Sequence, residues 1–249
     1  MEDRFFKFSL LAKFPEVIHG ISTRAYGNMS LYRGERNKAI KNREQFLSEM
    51  KIHLDELIVP EMVHGSKIMA VGENERGRGA EAPDTDIKGA DGLITDKKNI
   101  FLLVTAADCL PILAYDPVLQ IVAAAHCGWR GIIGGIVDEL INKFRNFGSA
   151  EENLVIGIGP GICQKHFTVK KDVLEQFLDQ YPQAVLRRNK DGYVDLKKVI
   201  LLDLKKNGVQ EQNIEVSRFC SACQNGIFGS HRLEKDRAPT SAAVIGMRG

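Results

Sequence analysis

The segment Ile100–Gly135, IFLLVTAADCLPILAYDPVLQIVAAAHCGWRGIIGG, constrains the fold more than any other part of the chain. Ile100–Ala106 is an apolar, β-branched-rich run and reads as a buried strand. Ile112–Tyr115 and Gln120–Ala125 read as two more strands around the turn Asp116-Pro117-Val118-Leu119, where Pro117 presets φ for the first central position. With the turn centred between Pro117 and Val118, Tyr115 faces Gln120, Ile112 faces Ala123 and Cys109 faces His126. Opposed residues share one face of a sheet, with Cβ atoms about 4.5–5.5 Å apart. This register therefore brings a thiol and an imidazole to one spot, and a one-residue slip would part them.

The flanking sequence alternates strand and helix patterns. Phe5–Leu11 and Ile18–Ser22 read as strands leading into the loop Thr23–Asn28, which carries Arg24. Lys38–Met50 has the spacing of an amphipathic helix with Arg43 in its middle. Leu57–Val59 and Met62–Val71 read as extended chain, with His64 just before Gly65. Gly72–Gly89 is polar and glycine-rich and is expected to be a long exposed loop, a lid or simply mobile. Ala90–Thr95 restarts order as a strand.

Gly128–Phe147 carries a helical apolar stripe, and its glycines Gly131, Gly134 and Gly135 suit close packing against a sheet. The start of that helix, just after His126, would favour an anion. Further strands are expected at Leu154–Gly159, Tyr193–Leu196, Ile214–Phe219 and Ser241–Met247, with helices at Lys171–Gln180 and Leu196–Asn207. Cys220–Asp236 reads as loop. Hairpin-type pairs intrude among the alternating elements, so the expectation is a layered α/β fold around a mixed sheet. No repeat or linker composition divides it, and residues 1–249 read as one domain.

Composition narrows the function. A net charge of +2 indicates no nucleic-acid partner. Five unevenly spaced cysteines do not resemble a disulfide framework, and a reducing cytoplasmic setting is the simpler expectation. The N-terminus lacks the apolar core of a signal peptide. No apolar run reaches the roughly 20 residues of a membrane span.

Cys109, His126 and His64 are the main chemical candidates. Two imidazoles and a thiolate suit Zn²⁺ and leave a fourth position for water or substrate. The same residues admit other readings. One is a thiolate–imidazolium pair for nucleophilic catalysis, as in a Cys-His hydrolase. Another is a copper site with Met62 as weak axial ligand. A third is a buried structural cysteine beside a hydrogen-bonded histidine. Asp108 reads either as a carboxylate orienting an imidazole or as a turn residue capping N–H groups. Cys220-x2-Cys223 reads as half of a zinc site with no second pair at matching spacing, which favours ordinary structural or surface cysteines. His231, Arg232 and Arg237 are either exposed basic residues or anion contacts. His19, His53 and His166 have no evident partner.

The blocks TAADCLPILAYDP, AAAHCGWRGIIGG, VHGSKI, IGPGICQKHFTV and FGSHR resemble the multicopper polyphenol oxidase or laccase-domain family, which is associated with purine nucleoside phosphorylase activity. The resemblance runs from Gly20 to the final strand. It implies an α/β/α-layered domain with zinc held by His64, Cys109 and His126. It also implies phosphorolysis of adenosine, inosine and methylthioadenosine to base and sugar 1-phosphate, with adenosine deamination as a companion activity. The Asn-Arg pair of the family's first helix corresponds to Asn42-Arg43, which makes Arg43, with Arg24, the expected phosphate ligand. Asp91 or Asp108 would shuttle a proton, and a zinc-bound water of lowered pKa would supply hydroxide for deamination. The chain departs from the family pattern at Met62, where Gln is usual, and at Cys127, where Ala is usual. It departs again at Ser30-Leu31-Tyr32-Arg33-Gly34 and at His231-Arg232-Leu233. The alternatives are a copper-dependent polyphenol oxidase and a non-catalytic metal-binding module that acts through a partner.

Overall fold

The computed structural model describes residues 4–188 and 191–249. Its first sheet has the order β1 (Phe5–Phe6), β2 (Val17–Ser22), β14 (Ser241–Met247), β6 (Phe101–Ala106), β3 (Leu57–Ile58). The second has the order β13 (Ile214–Val216), β9 (Val155–Ile158), β7 (Leu110–Asp116), β8 (Ile121–Cys127), β5 (Gly92–Thr95), β4 (Ile68–Ala70). A small third sheet joins β10 (Thr168–Val169), β12 (Asp191–Val194) and β11 (Val185–Arg188). Both large sheets are mixed: β3 runs parallel to β6, β4 to β5 and β13 to β9, and the other pairings in them are antiparallel.

The fold is mixed α/β, as the sequence leads one to expect, but its helices flank two stacked sheets instead of one. Alternation along the central strands shows why. On β6, Leu102 and Val104 pack with Leu113, Tyr115, Val122 and Ala124 of the second sheet. The intervening Phe101 and Leu103 pack with Phe46 and Leu47 of α1 (Arg36–Ser48). On the far side of the second sheet, Ile112, Ala114, Ala123 and Ala125 meet Val137, Leu140, Ile141 and Phe144 of α3 (Ile136–Asn146). Val199, Ile200 and Leu204 of α5 (Leu196–Lys206) and Phe177 of α4 (Lys171–Gln180) join the same cluster. Strands buried on both faces read as continuous apolar runs, which hides the second sheet from sequence patterning.

The loop expected over Cys220–Asp236 holds a short helix at His231–Glu234, the strand expected over Ile214–Phe219 ends at Val216, and three further segments differ from expectation. The helix expected over Gly128–Phe147 is divided into α2 (Trp129–Ile133) and α3, because Gly135 takes φ +83° between them. The strand expected over Phe5–Leu11 is confined to β1 and is followed by a 3₁₀ turn at Leu11–Lys13. Residues 72–89 are built into the protein. Val59 N–H donates to the Arg78 carbonyl, Gly77 N–H to Leu57 and Ile87 N–H to Val59, and Ala80, Asp86 and Ile87 are buried. Backbone pairing with β3 and its extension orders a segment whose composition suggested mobility. Among the described residues no helix is long and apolar enough to cross a membrane.

Candidate functional site

Cys109, His126 and His64 converge at one end of the interface between the two large sheets. In the β7–β8 ladder Pro111 pairs with His126 and Leu110 with Cys127. The turn is therefore centred one residue later than expected, between Val118 and Leu119, which shifts the register by two residues and sets Cys109 across from Gly128. An even offset preserves the face of every residue, so the thiol still reaches His126, diagonally. Gly128 makes the room: a Cβ there would lie 3.0 Å from His64 Cδ2 and 3.2 Å from Cys109 Sγ.

His64 arrives on the irregular chain after β3. Its φ of +61° is rare for a non-glycine residue, and Met62 (+58°) and Asp108 (+84°) share that region beside it. Two contacts hold this geometry. His64 and Gly65 N–H donate to the two Asp91 carboxylate oxygens, each at 2.7 Å. Gly131 of α2 lies against the Gly65 carbonyl, which a Cβ would approach to 2.4 Å. The three ligand-capable atoms of His64, Cys109 and His126 lie within 4.8 Å of one another, and the group is compatible with a metal ion. His126 is buried, Cys109 half-buried and His64 exposed, so the group opens on the His64 side.

The electrostatics match a thiolate between imidazoles. Burial disfavours the Cys109 thiolate, but the neighbouring His126 and hydrogen bonds from both histidines outweigh it and lower the thiol's pKa. Burial likewise opposes charge on His126. Cys109 and the Asp91 carboxylate overcome it and raise the imidazole's pKa. Cys127 points the other way, into the helix-facing core, where burial drives its pKa well up and leaves it an inert thiol.

The group opens onto a cavity of about 710 Å³, within the roughly 300–1,000 Å³ typical of small-molecule sites. Trp129, Phe167, Ile162, Met62 and Leu196 give it apolar surface, and Arg33, Arg130, Arg232, Lys235 and His231 give it cations. The Arg130 guanidinium lies 4.4 Å from the Trp129 ring centroid, and Arg33 Nη1 lies 3.4 Å from His231 Nδ1. Arg33, Arg130 and Lys235 were missed in the sequence, where isolated surface cations carry no distinguishing pattern.

The other expected site residues are placed as follows. Asp91 is fully buried, and both its oxygens are engaged by His64, Gly65 and His126, so it orients the group. Asp108 lines the cavity but accepts from Ser221 Oγ (2.6 Å), Ser230 Oγ (2.8 Å) and Arg232 N–H (2.6 Å), which ties the C-terminal loop down. The imidazole-orienting carboxylate is thus Asp91, while Asp108 caps N–H and O–H groups. Arg43 is buried away from the cavity lining, donating to the carbonyls of Met29 (2.8 Å), Gly79 (2.9 Å) and Ala80 (2.7 Å). Arg24 pairs with Glu234 at 2.6 Å and with the Asn225 carbonyl. The structure thus brings neither arginine to the cavity. Met62 Sδ accepts from Thr105 N–H at 3.2 Å, which engages the sulfur proposed as an axial copper ligand. The α2 helix, at five residues, offers far less dipole than the long helix expected after His126.

The chain is 31% identical over 251 residues to the purine nucleoside phosphorylase YlmD of Geobacillus stearothermophilus, covering 94% of this chain and 92% of that protein. It is 30% identical over 189 residues to a protein named adenosine deaminase RL5 from an unknown prokaryotic organism, covering 74% and 72%. The crystal structure of YlmD from Geobacillus stearothermophilus superposes with a TM-score of 0.94 at 28% identity, over 100% of this chain and 98% of that one. The profile of the family described as multi-copper polyphenol oxidoreductase laccase matches residues 13–248, and the chain belongs to that family.

Proposed function

We propose that this chain is a zinc-dependent purine nucleoside phosphorylase of the reducing cytosol that also deaminates adenosine, with residues 1–249 acting as one domain. The observation that carries this reading is the His64/Cys109/His126 group opening onto a cavity with cations and flat apolar walls. The names of the similar proteins support both activities. Two imidazoles and one thiolate form a donor set suited to zinc with one position left for substrate. Bound there, zinc would supply Lewis acidity.

The chain's own residues account for the rest. Asp91 fixes the His126 ring through Nδ1 and leaves Nε2 for the metal side. Arg33, Arg130 and Lys235 offer charged donors to phosphate, with His231 beside them. Trp129 and Phe167 offer ring faces to a purine. Met62, Ile162 and Leu196 exclude water around the sugar, so that a phosphate oxygen forms the bond to C1′ as the bond from C1′ to the purine nitrogen breaks. The products are the free base and ribose 1-phosphate. The substrates are small molecules, and the net charge of +2 favours no nucleic-acid partner.

Purified protein incubated with adenosine and phosphate is expected to release adenine, and inosine is expected to appear in parallel. Both products should fall when a chelator strips the metal and return when zinc is restored. Absence of base release with zinc-loaded protein, or copper content accompanied by phenol oxidation, would overturn the reading.

A further inference from the structure

Cys220-x2-Cys223 does have a partner pair, contrary to the sequence expectation. The loop after β9 brings Cys163-x2-His166 against it, and the four ligand-capable atoms lie within 4.8 Å of one another. We infer that Cys163, His166, Cys220 and Cys223 form a second, structural zinc site. His166 Nδ1 lies 3.4 Å from Cys163 Sγ, 3.5 Å from Cys223 Sγ and 3.9 Å from Cys220 Sγ, and Cys163 Sγ lies 3.9 Å from Cys223 Sγ. Tetrahedral zinc with bonds of about 2.3 Å to sulfur and about 2.0–2.1 Å to nitrogen spaces its ligands about 3.6 Å (S to N) and about 3.8 Å (S to S) apart. Four of the six donor spacings lie close to those values, and the other two, from Cys220 Sγ to the sulfurs of Cys163 and Cys223, are within 4.8 Å. The 3.9 Å between Cys163 and Cys223 is nearly twice a disulfide bond of about 2.05 Å.

The local backbone is shaped to present these donors. Each pair sits on a tight turn: Phe167 N–H donates to the Cys163 carbonyl (3.0 Å), and Gln224 N–H donates to the Cys220 carbonyl (2.8 Å). The N–H groups of Cys163 and Cys223 both point at Cys220 Sγ, at 3.3 and 3.4 Å, the kind of support a thiolate ligand receives. Three thiolates and one Zn²⁺ carry one net negative charge, and Lys197 Nζ donates to the Phe219 carbonyl, one residue before Cys220.

Four protein donors leave no open position, so the site is structural. It joins the chain after β9 to the chain after β13, at the ends of two parallel strands. Phe167, next to His166, lines the cavity, and Ser221, next to Cys220, donates to Asp108. Metal here would lock that wall of the cavity.

The test counts metal on the full chain, grown with zinc and purified under reducing conditions without chelator. Cys109→Ala protein is expected to keep one zinc per chain, and adding Cys220→Ser and Cys223→Ser is expected to remove it. Cobalt exchanged into Cys109→Ala protein should show strong thiolate charge-transfer absorption and the visible bands of a tetrahedral ion, both lost with Cys220→Ser. Cys223→His keeps four donors and should retain the metal, which covers a failure of the serine variants to fold. A folded Cys109→Ala protein that holds neither zinc nor cobalt overturns the inference. So does a Cys163–Cys223 disulfide trapped by blocking thiols at lysis. Neither outcome depends on whether the His64/Cys109/His126 group holds metal, so the two assignments fail separately.

Discussion

Asp91 holds His126 at two points: its carbonyl accepts the His126 backbone N–H at 2.7 Å, and its Oδ1 lies 3.1 Å from His126 Nδ1. The same carboxylate anchors the backbone of His64 and Gly65. One buried side chain thus positions two imidazoles that come from different elements. Asp91→Asn puts an amide donor where only acceptors fit and removes the negative partner of His126. Loss of such support typically costs about tenfold to hundredfold in metal affinity. Competition with a graded chelator should read that loss, and an unchanged affinity in folded protein would remove Asp91 from the positioning role.

Cys109→Ala removes the thiolate of the same group and little else. The variant should fold, lose one zinc equivalent and lose phosphorolysis. Retention of the full zinc complement by elemental analysis would show that Cys109 is not a ligand.

Arg43 and Arg33 should behave oppositely. Arg43 is buried and joins three backbone carbonyls from two segments. Charged hydrogen bonds contribute about 1.5–3 kcal/mol each, so Arg43→Ala should lower stability by several kcal/mol, read as a lower denaturant midpoint. Its KM for phosphate should stay near wild type. Arg33 is half-buried at the cavity rim. Arg33→Ala should leave stability unchanged and raise the KM for phosphate about tenfold or more. The reverse pattern would return Arg43 to the phosphate site.

His19 makes stability depend on pH. It is buried, stacks on Phe8 and accepts the Phe8 N–H at Nε2 at 3.0 Å, a bond only the neutral ring can accept. Burial, helped by Lys7, lowers its pKa to about 4, against 6.5 for the free side chain. Below pH 6.5 the unfolded chain takes up a proton that the folded chain refuses until about pH 4. Stability should therefore be fully present above pH 6.5 and fall between pH 6.5 and 4, by about 3 kcal/mol from this residue. His19→Gln should be less stable at neutral pH and show a shallower decline across that window. Equal slopes in the two proteins would assign the pH dependence elsewhere.

The sequence revealed some of these features and concealed others, for physical reasons. Cys109 and His126 could be brought together because parity along a strand survives a two-residue shift of register. Their exact pairing could not, because the turn at Pro117–Gln120 has no single preferred centre. The ordered state of residues 72–89 was hidden, since backbone hydrogen bonds leave no mark on composition. Arg43 looked free for a ligand because a helix pattern does not show which carbonyls of other segments face it. The second cysteine pair went unmatched because its partner includes a histidine and comes from a distant loop.

The same contacts decide what an insertion does. β7 is bonded to β8 on one side and β9 on the other, and β8 is bonded to β7 and β5. A one-residue slip would turn every buried side chain of the hairpin to the wrong face, so the flanking strands should hold the register. Asp116 Oδ1 accepts from Val118 and Leu119 N–H within the turn, and Val118 and Leu119 are exposed. A glycine inserted between Pro117 and Val118 should bulge there, leaving zinc affinity within about threefold of wild type. The segment around Gly77 and Arg78 looks more tolerant in sequence but is bonded to Leu57 and Val59, and the next residues receive Arg43. A glycine inserted between Gly77 and Arg78 should therefore lower the denaturant midpoint more than the turn insertion does. Chelator competition and denaturation on both variants check the pair of outcomes. Loss of zinc from a folded turn variant would mean that the hairpin's own turn, not its neighbouring strands, sets the position of His126 against Cys109.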